Sequence, residues 1–122
     1  MEDSIRQSFW LAVDAIVDSS EVVVDRPKGS RHPRFPSIVY PVDYGYLANT
    51  RSMDGGGIDV WVGSDPSRAV VAVICAVDLM KRDSEMKILL GCTPEETEKV
   101  DLFLNAGDLM KGLLIRRQTD AV

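Results

Sequence analysis

The residues best suited to chemistry crowd into the stretch from Val22 to Val62. A basic, proline-punctuated segment, Asp25-Arg-Pro-Lys-Gly-Ser-Arg-His-Pro-Arg34, comes first. Tyr40-Pro-Val-Asp-Tyr-Gly-Tyr46 follows, and then Asp54-Gly-Gly-Gly-Ile-Asp59-Val-Trp-Val62. Cations, phenol hydroxyls and carboxylates in this proximity are what a site needs to hold a phosphate and a divalent metal together. Guanidinium groups grip phosphate bidentately. Mg2+ takes hard oxygen ligands in near-octahedral geometry and keeps several waters. Asp54, Asp59, Asp78 and Glu85 could bracket such an ion, Asp54 from a glycine turn and the others from strand ends. The same four residues read equally as a turn former and solvated strand ends. Arg26, Lys28, Arg31 and Arg34, with His32, read either as an anion site or as an exposed basic loop. Lys87, beside Glu85, is a phosphate contact or a surface ion pair. Tyr40, Tyr44 and Tyr46 would share one face of an extended segment. Trp10 and Trp61 read as packing residues.

Several elements must position these groups. Ser4 and Gln7 suit a capping box, and Ile5, Phe9, Val13 and Ile16 recur at helical spacing, which predicts an N-terminal helix ended by Asp18-Ser-Ser20. Glu21 to Val24 reads as a β-branched strand. Residues 26–36 form a loop or extended edge, Ser37 to Tyr40 a short strand, and Tyr44 to Thr50 an extended or irregular segment. Three consecutive glycines after Asp54 demand a turn. Ile58 to Val62 is a strand, and Ala69 to Met80 a long strand buried on both faces for much of its length. Glu85 to Gly91 is its antiparallel partner. Thr93-Pro-Glu-Glu96 starts a second helix, with threonine as the cap, proline at the first position and glutamate three residues after the cap. That helix runs to about Asn105 with Gly107 as its stop, and Leu113 to Arg116 forms a last short strand. The sum is an α+β chain, residues 1–122 as one domain, whose strands suggest a small antiparallel barrel.

Composition narrows the class. A chain of 122 residues buries roughly two-thirds of its unfolded surface. The net charge of −5 argues against a general nucleic-acid binder. Cys75 and Cys92 sit in apolar runs and read as buried thiols. No apolar run reaches the roughly 20 residues of a membrane span, and no signal peptide is expected. The expected location is cytoplasmic, with no nucleic acid and no membrane as partner.

At Tyr40-Pro-Val-Asp-Tyr-Gly-Tyr46, followed by Asp54-Gly-Gly-Gly-Ile-Asp59, the chain resembles the soluble family I inorganic pyrophosphatases. Those proteins carry Tyr-Pro-x-Asn-Tyr-Gly-Phe/Tyr and then Asp-Gly-Asp-Pro-x-Asp. Asp25-Arg-Pro27 is similar to the family's Glu-Ile-Pro, and Asp78 and Glu85-Met-Lys87 lie where the family has further aspartates and a lysine. The resemblance implies a five-stranded, OB-like barrel with flanking N- and C-terminal helices, a homo-oligomer, and Mg2+-dependent hydrolysis of pyrophosphate or another phosphoanhydride. It implies metal ligation by Asp54, Asp59, Asp78 and Glu85, and phosphate binding by Tyr44, Lys87 and a cation of the basic segment. Arg34 sits closest to that cation's position, with Lys28 in the same run. Gly56 replaces the family's middle acid, which helps activate the attacking water, and Gly57 replaces its proline. Ala106-Gly107 falls where the family has a Tyr-Lys phosphate clamp. Asp43, in place of the asparagine, is the candidate to stand in for the missing acid, so the catalytic set is Asp54, Asp59 and Asp43. Two other functions fit the residues: a phosphate-binding protein of the same fold without turnover, and an assembly module that uses the N-terminal helix as its contact surface.

Overall fold

A computed structural model describes residues 2–118. The elements run α1 (Glu2–Asp18), β1 (Val22–Arg26), β2 (Asp43–Leu47), β3 (Ile58–Val62), β4 (Val70–Asp78), β5 (Asp83–Leu90), α2 (Pro94–Asn105) and β6 (Met110–Arg116). The strands form one six-stranded sheet in the order β1-β2-β3-β5-β4-β6. All neighbours pair antiparallel except β3 and β5, which are parallel.

The α+β class with helices near both ends holds. The expected five-stranded barrel is instead an open six-stranded sheet. The segment expected to be extended or irregular, Tyr44 to Thr50, is extended in its first half and supplies most of β2, while Ser37 to Tyr40 contributes only a single bridge, Val39 to Arg31. The β4–β5 hairpin lies with β5 against β3, so β4 faces outward and takes β6 on its far side. Among the described residues no pairing joins β6 back to β1.

Strand alternation sends residues to two apolar layers. Leu47, Val60, Val62, Val73, Ile88 and Leu90 pack with Trp10 and Val13 of α1. Trp61, Ala72, Ile74 and Leu89 pack with Val100 and Leu104 of α2 and with Tyr40 and Val42. The helices therefore cover opposite faces. The α2 start is as expected: Thr93 accepts from the Glu96 amide, and Glu96 accepts from the Thr93 amide at 2.9 Å. Two local readings need correction. Ser4 and Gln7 lie inside α1, and the buried stripe is Trp10, Val13 and Val17, while Ile5 is 66% and Phe9 42% exposed. The indole of Trp10 offers the largest apolar area on the helix, and it sets the face. The second half of β4 is open on one side, where Cys75 and Val77 are exposed; Cys92 is buried as expected. Among the described residues no helix is long and apolar enough to cross a membrane.

Candidate functional site

The α2-facing side of the sheet changes character along its strands. Tyr44 pairs with Trp61 and Tyr46 with Asp59 across β2 and β3, and Trp61 pairs with Leu89 across β3 and β5. Alternate residues share a face, so Tyr44, Asp59, Glu85 and Lys87 stand together beside the Trp61–Leu89 layer. Lys87 is only 5% exposed. Its ammonium donates to Asp59 Oδ2 at 2.7 Å, to the Tyr44 hydroxyl at 2.9 Å and to Glu85 Oε2 at 3.4 Å. Burial works against this charge, but Tyr44 and Asp59 outweigh it and hold the ammonium above its ordinary pKa. Burial also keeps the Tyr44 phenol protonated, well above its usual range.

Asp54 reaches the cluster from the turn before β3. Its Oδ1 accepts from Ser52 Oγ at 2.7 Å and from the Gly56 amide at 2.9 Å, bonds that hold its carboxyl below the usual pKa. Gly55 supplies the left-handed residue of this turn, at φ +85°. Gly57 passes so close to Tyr46 that a Cβ there would lie 2.7 Å from the Leu47 carbonyl oxygen, so the family's proline has no room. Burial and the nearby charges of Asp59 and Asp54 raise the Glu85 pKa against the pull of Lys87. Carboxyls whose like charges raise one another's pKa can share a cation.

The structure brings together Asp54, Asp59, Glu85, Lys87 and Tyr44. It gives the other candidates different work. Asp78 Oδ1 accepts from the amides of Met80 and Lys81 at 3.0 and 3.1 Å, capping the β4–β5 turn. Asp43 Oδ1 accepts from the Lys28 amide at 2.7 Å and anchors the basic loop. Lys28 and Arg34 are exposed. The Arg34 guanidinium stands over the Phe35 ring at 5.7 Å. Among the described residues no three acidic, histidine or cysteine side chains converge closely enough to hold a metal alone. The residues do fit an ion held by one or two carboxylates plus substrate phosphate, the usual habit of Mg2+. Asp54 and Glu85 would hold it.

Arg26, from the same basic run, stands on the Tyr44 side of this cluster. A bulge between Val24 and Arg26 shifts the register and sets Arg26 opposite Tyr44. Its Nη1 donates to the Tyr40 hydroxyl, and its guanidinium carbon lies 5.4 Å from the Tyr40 ring centroid. Tyr40 in turn stacks on Tyr44 at 5.5 Å. The signal in the sequence is that Arg26 lies two residues past the valine run of β1, whereas Arg34 lies beyond two prolines.

Fold and site together define a mixed-sheet α+β protein with a buried ammonium among two phenols and carboxyls on one face of the sheet. No family model matches the chain, and no curated protein matches it in sequence. Among solved structures it is similar to an inorganic pyrophosphatase from Neisseria gonorrhoeae, with a TM-score of 0.60 at 18% identity over 74% of this chain and 77% of that one. It is also similar to the Coxiella burnetii enzyme, with a TM-score of 0.56 at 14% identity over 75% and 81% of the two chains. The Helicobacter pylori inorganic pyrophosphatase gives 0.52 at 16% identity over 78% and 81%. The fold is pyrophosphatase-like, and at these identities the likeness is one of fold.

Proposed function

We propose that this protein is a slow Mg2+-dependent hydrolase of pyrophosphate or a closely related phosphoanhydride. The observation that carries the reading is the buried Lys87 ammonium, held between the Tyr44 hydroxyl at 2.9 Å and Asp59 at 2.7 Å beside the Asp54–Glu85 pair. Lys87, the Tyr44 hydroxyl and Arg26 bind phosphate oxygens, and Asp54 and Glu85 hold the cation. Bound Mg2+ supplies charge neutralisation and a water of lowered pKa. Asp59 orients Lys87. Phosphoryl transfer asks the protein mainly for alignment and charge screening. Position 56 offers no carboxylate, and Asp43 is bonded to the Lys28 amide and not turned to the cluster. A missing general base costs about 10²–10⁴-fold in rate, which is why slow turnover is proposed. The resemblance adds self-association as a homo-oligomer in the cytoplasm.

A second reading, phosphate binding without turnover, is favoured by Gly56 itself. Phosphate release from pyrophosphate with Mg2+, compared with an Asp54→Asn/Asp59→Asn double variant, separates the two. Release that the double variant lacks supports hydrolysis. Release no greater than the variant's, with binding intact, supports the second reading.

A further inference from the structure

Helix α1 covers only part of its side of the sheet. Across β5, β4 and β6 that side presents three rows: Ile88, Val73 and Ile115, then Met86, Cys75 and Leu113, then Ser84, Val77 and Lys111. Val73 and Ile88 are buried with Trp10 and Val13 of α1. Past them the floor is open. Cys75 is exposed, Val77 is 51% and Leu113 68% exposed, although β4 is an interior strand. The turn before β3 walls this floor, and the two enclose a cleft of about 580 Å³ to which Met53, Ile58, Cys75 and Met86 contribute. Small-ligand sites run from about 300 to 1,000 Å³. The thioethers of Met53 and Met86 adapt to flexible aliphatic partners. Charge is divided unevenly between the two faces. Alternation sends Asp78, Asp83 and Glu85 to the far one. Asp78 is engaged by turn amides, Glu85 by Lys87, and Asp54 by Ser52 and the Gly56 amide. Lys111 donates to the Asn105 carbonyl at 3.0 Å. Arg51 lines the cleft, is exposed, and has no ion pair among the described residues. The cleft therefore offers an apolar floor and one uncompensated cation. An aliphatic chain on that floor takes apolar surface out of water, and an anionic head answers Arg51.

We propose that this cleft, on the side of the sheet opposite the Lys87 cluster, binds a fatty-acid carboxylate. The aliphatic chain lies on Met86, Cys75 and Met53, and the carboxylate accepts from the Arg51 guanidinium. The site goes beyond the phosphoanhydride reading and does not depend on it.

Alkylation of Cys75 by N-ethylmaleimide reports occupancy of the cleft. Cys92 does not compete, because it is buried and its thiol is pushed up to about 12. Decanoate, kept below its micelle concentration, is expected to slow the alkylation at least about tenfold as the site saturates. Arg51→Ala, at an exposed position, should weaken decanoate by roughly three- to tenfold and leave decanol, which has the chain without the charge, unchanged. Val77→Trp, also at an exposed position, fills the cleft from its floor and should remove decanoate binding in calorimetric titration. Alkylation that decanoate does not slow overturns the site, as does decanoate affinity that Arg51→Ala or Val77→Trp leaves intact. Alkylation that slows with rising protein concentration, with no decanoate present, makes a second copy of the chain the occupant and overturns it too.

Discussion

Lys87 and the run from Lys28 to Arg34 carry the same kind of charge in opposite settings. Lys87 is buried, with partners from β2, β3 and its own strand within 3.4 Å. Lys28, Arg31 and Arg34 are exposed and bonded chiefly to their own loop, as when Arg31 Nη1 donates to the Pro36 carbonyl at 2.9 Å. Charge density along the chain therefore points to the loop, while sheet register assembles the cluster. A desolvated charge with three partners is sensitive to the loss of any one; a solvated charge is not.

The largest test of that contrast removes the buried cation. Lys87→Met leaves Asp59 and Glu85 facing each other without compensation, and should destabilise the fold by about 3 kcal/mol at neutral pH. The loss should shrink as pH falls through the carboxylate range, because the orphaned acids take up protons. Denaturant titrations at two pH values read both effects. Glu85→Gln should act in the other direction. Because the folded state raises the Glu85 pKa, its stabilising contribution is present in acid and is lost as pH rises through that raised value. The amide should therefore be more stable than the wild type at pH 7, by about 0.5–2 kcal/mol. The difference should vanish below about pH 4, where a free glutamate is itself protonated. Smallest is Arg31→Ala, which should change stability by no more than about 0.5 kcal/mol and leave pyrophosphate binding untouched.

The same contrast explains what the sequence made legible. The α2 start could be read because its capping box spans only Thr93 to Glu96. Ile58 to Val62 and the β4–β5 hairpin were legible for a similar reason, since β-branched runs and tight turns are local. Tyr44, Asp59, Asp54, Glu85 and Lys87 could be named as candidates by residue type and resemblance. Their meeting depends on pairings 28 and 43 residues apart, which periodicity does not report. The position of Arg26 opposite Tyr44 is not legible in the sequence, because a bulge sets its register. The bonds of Asp78 and Asp43 to backbone amides are equally hidden, because a carboxylate looks the same in sequence whether it meets a ligand or an amide. The expected stripe of α1 shares Val13 with the buried one, but Ile5, Phe9 and Ile16 are spaced as regularly around it as Trp10 and Val17, and only packing chooses between them.

The central claim is that the Lys87 cluster with its carboxyl pair takes a cation and a phosphoanhydride together. Calorimetric titration of pyrophosphate with and without Mg2+, on the wild type and on an Asp54→Asn/Glu85→Gln variant, tests it most directly. The account predicts binding by the wild type that Mg2+ strengthens at least about tenfold, and a variant in which that gain is gone. Binding that Mg2+ strengthens equally in both proteins would contradict it.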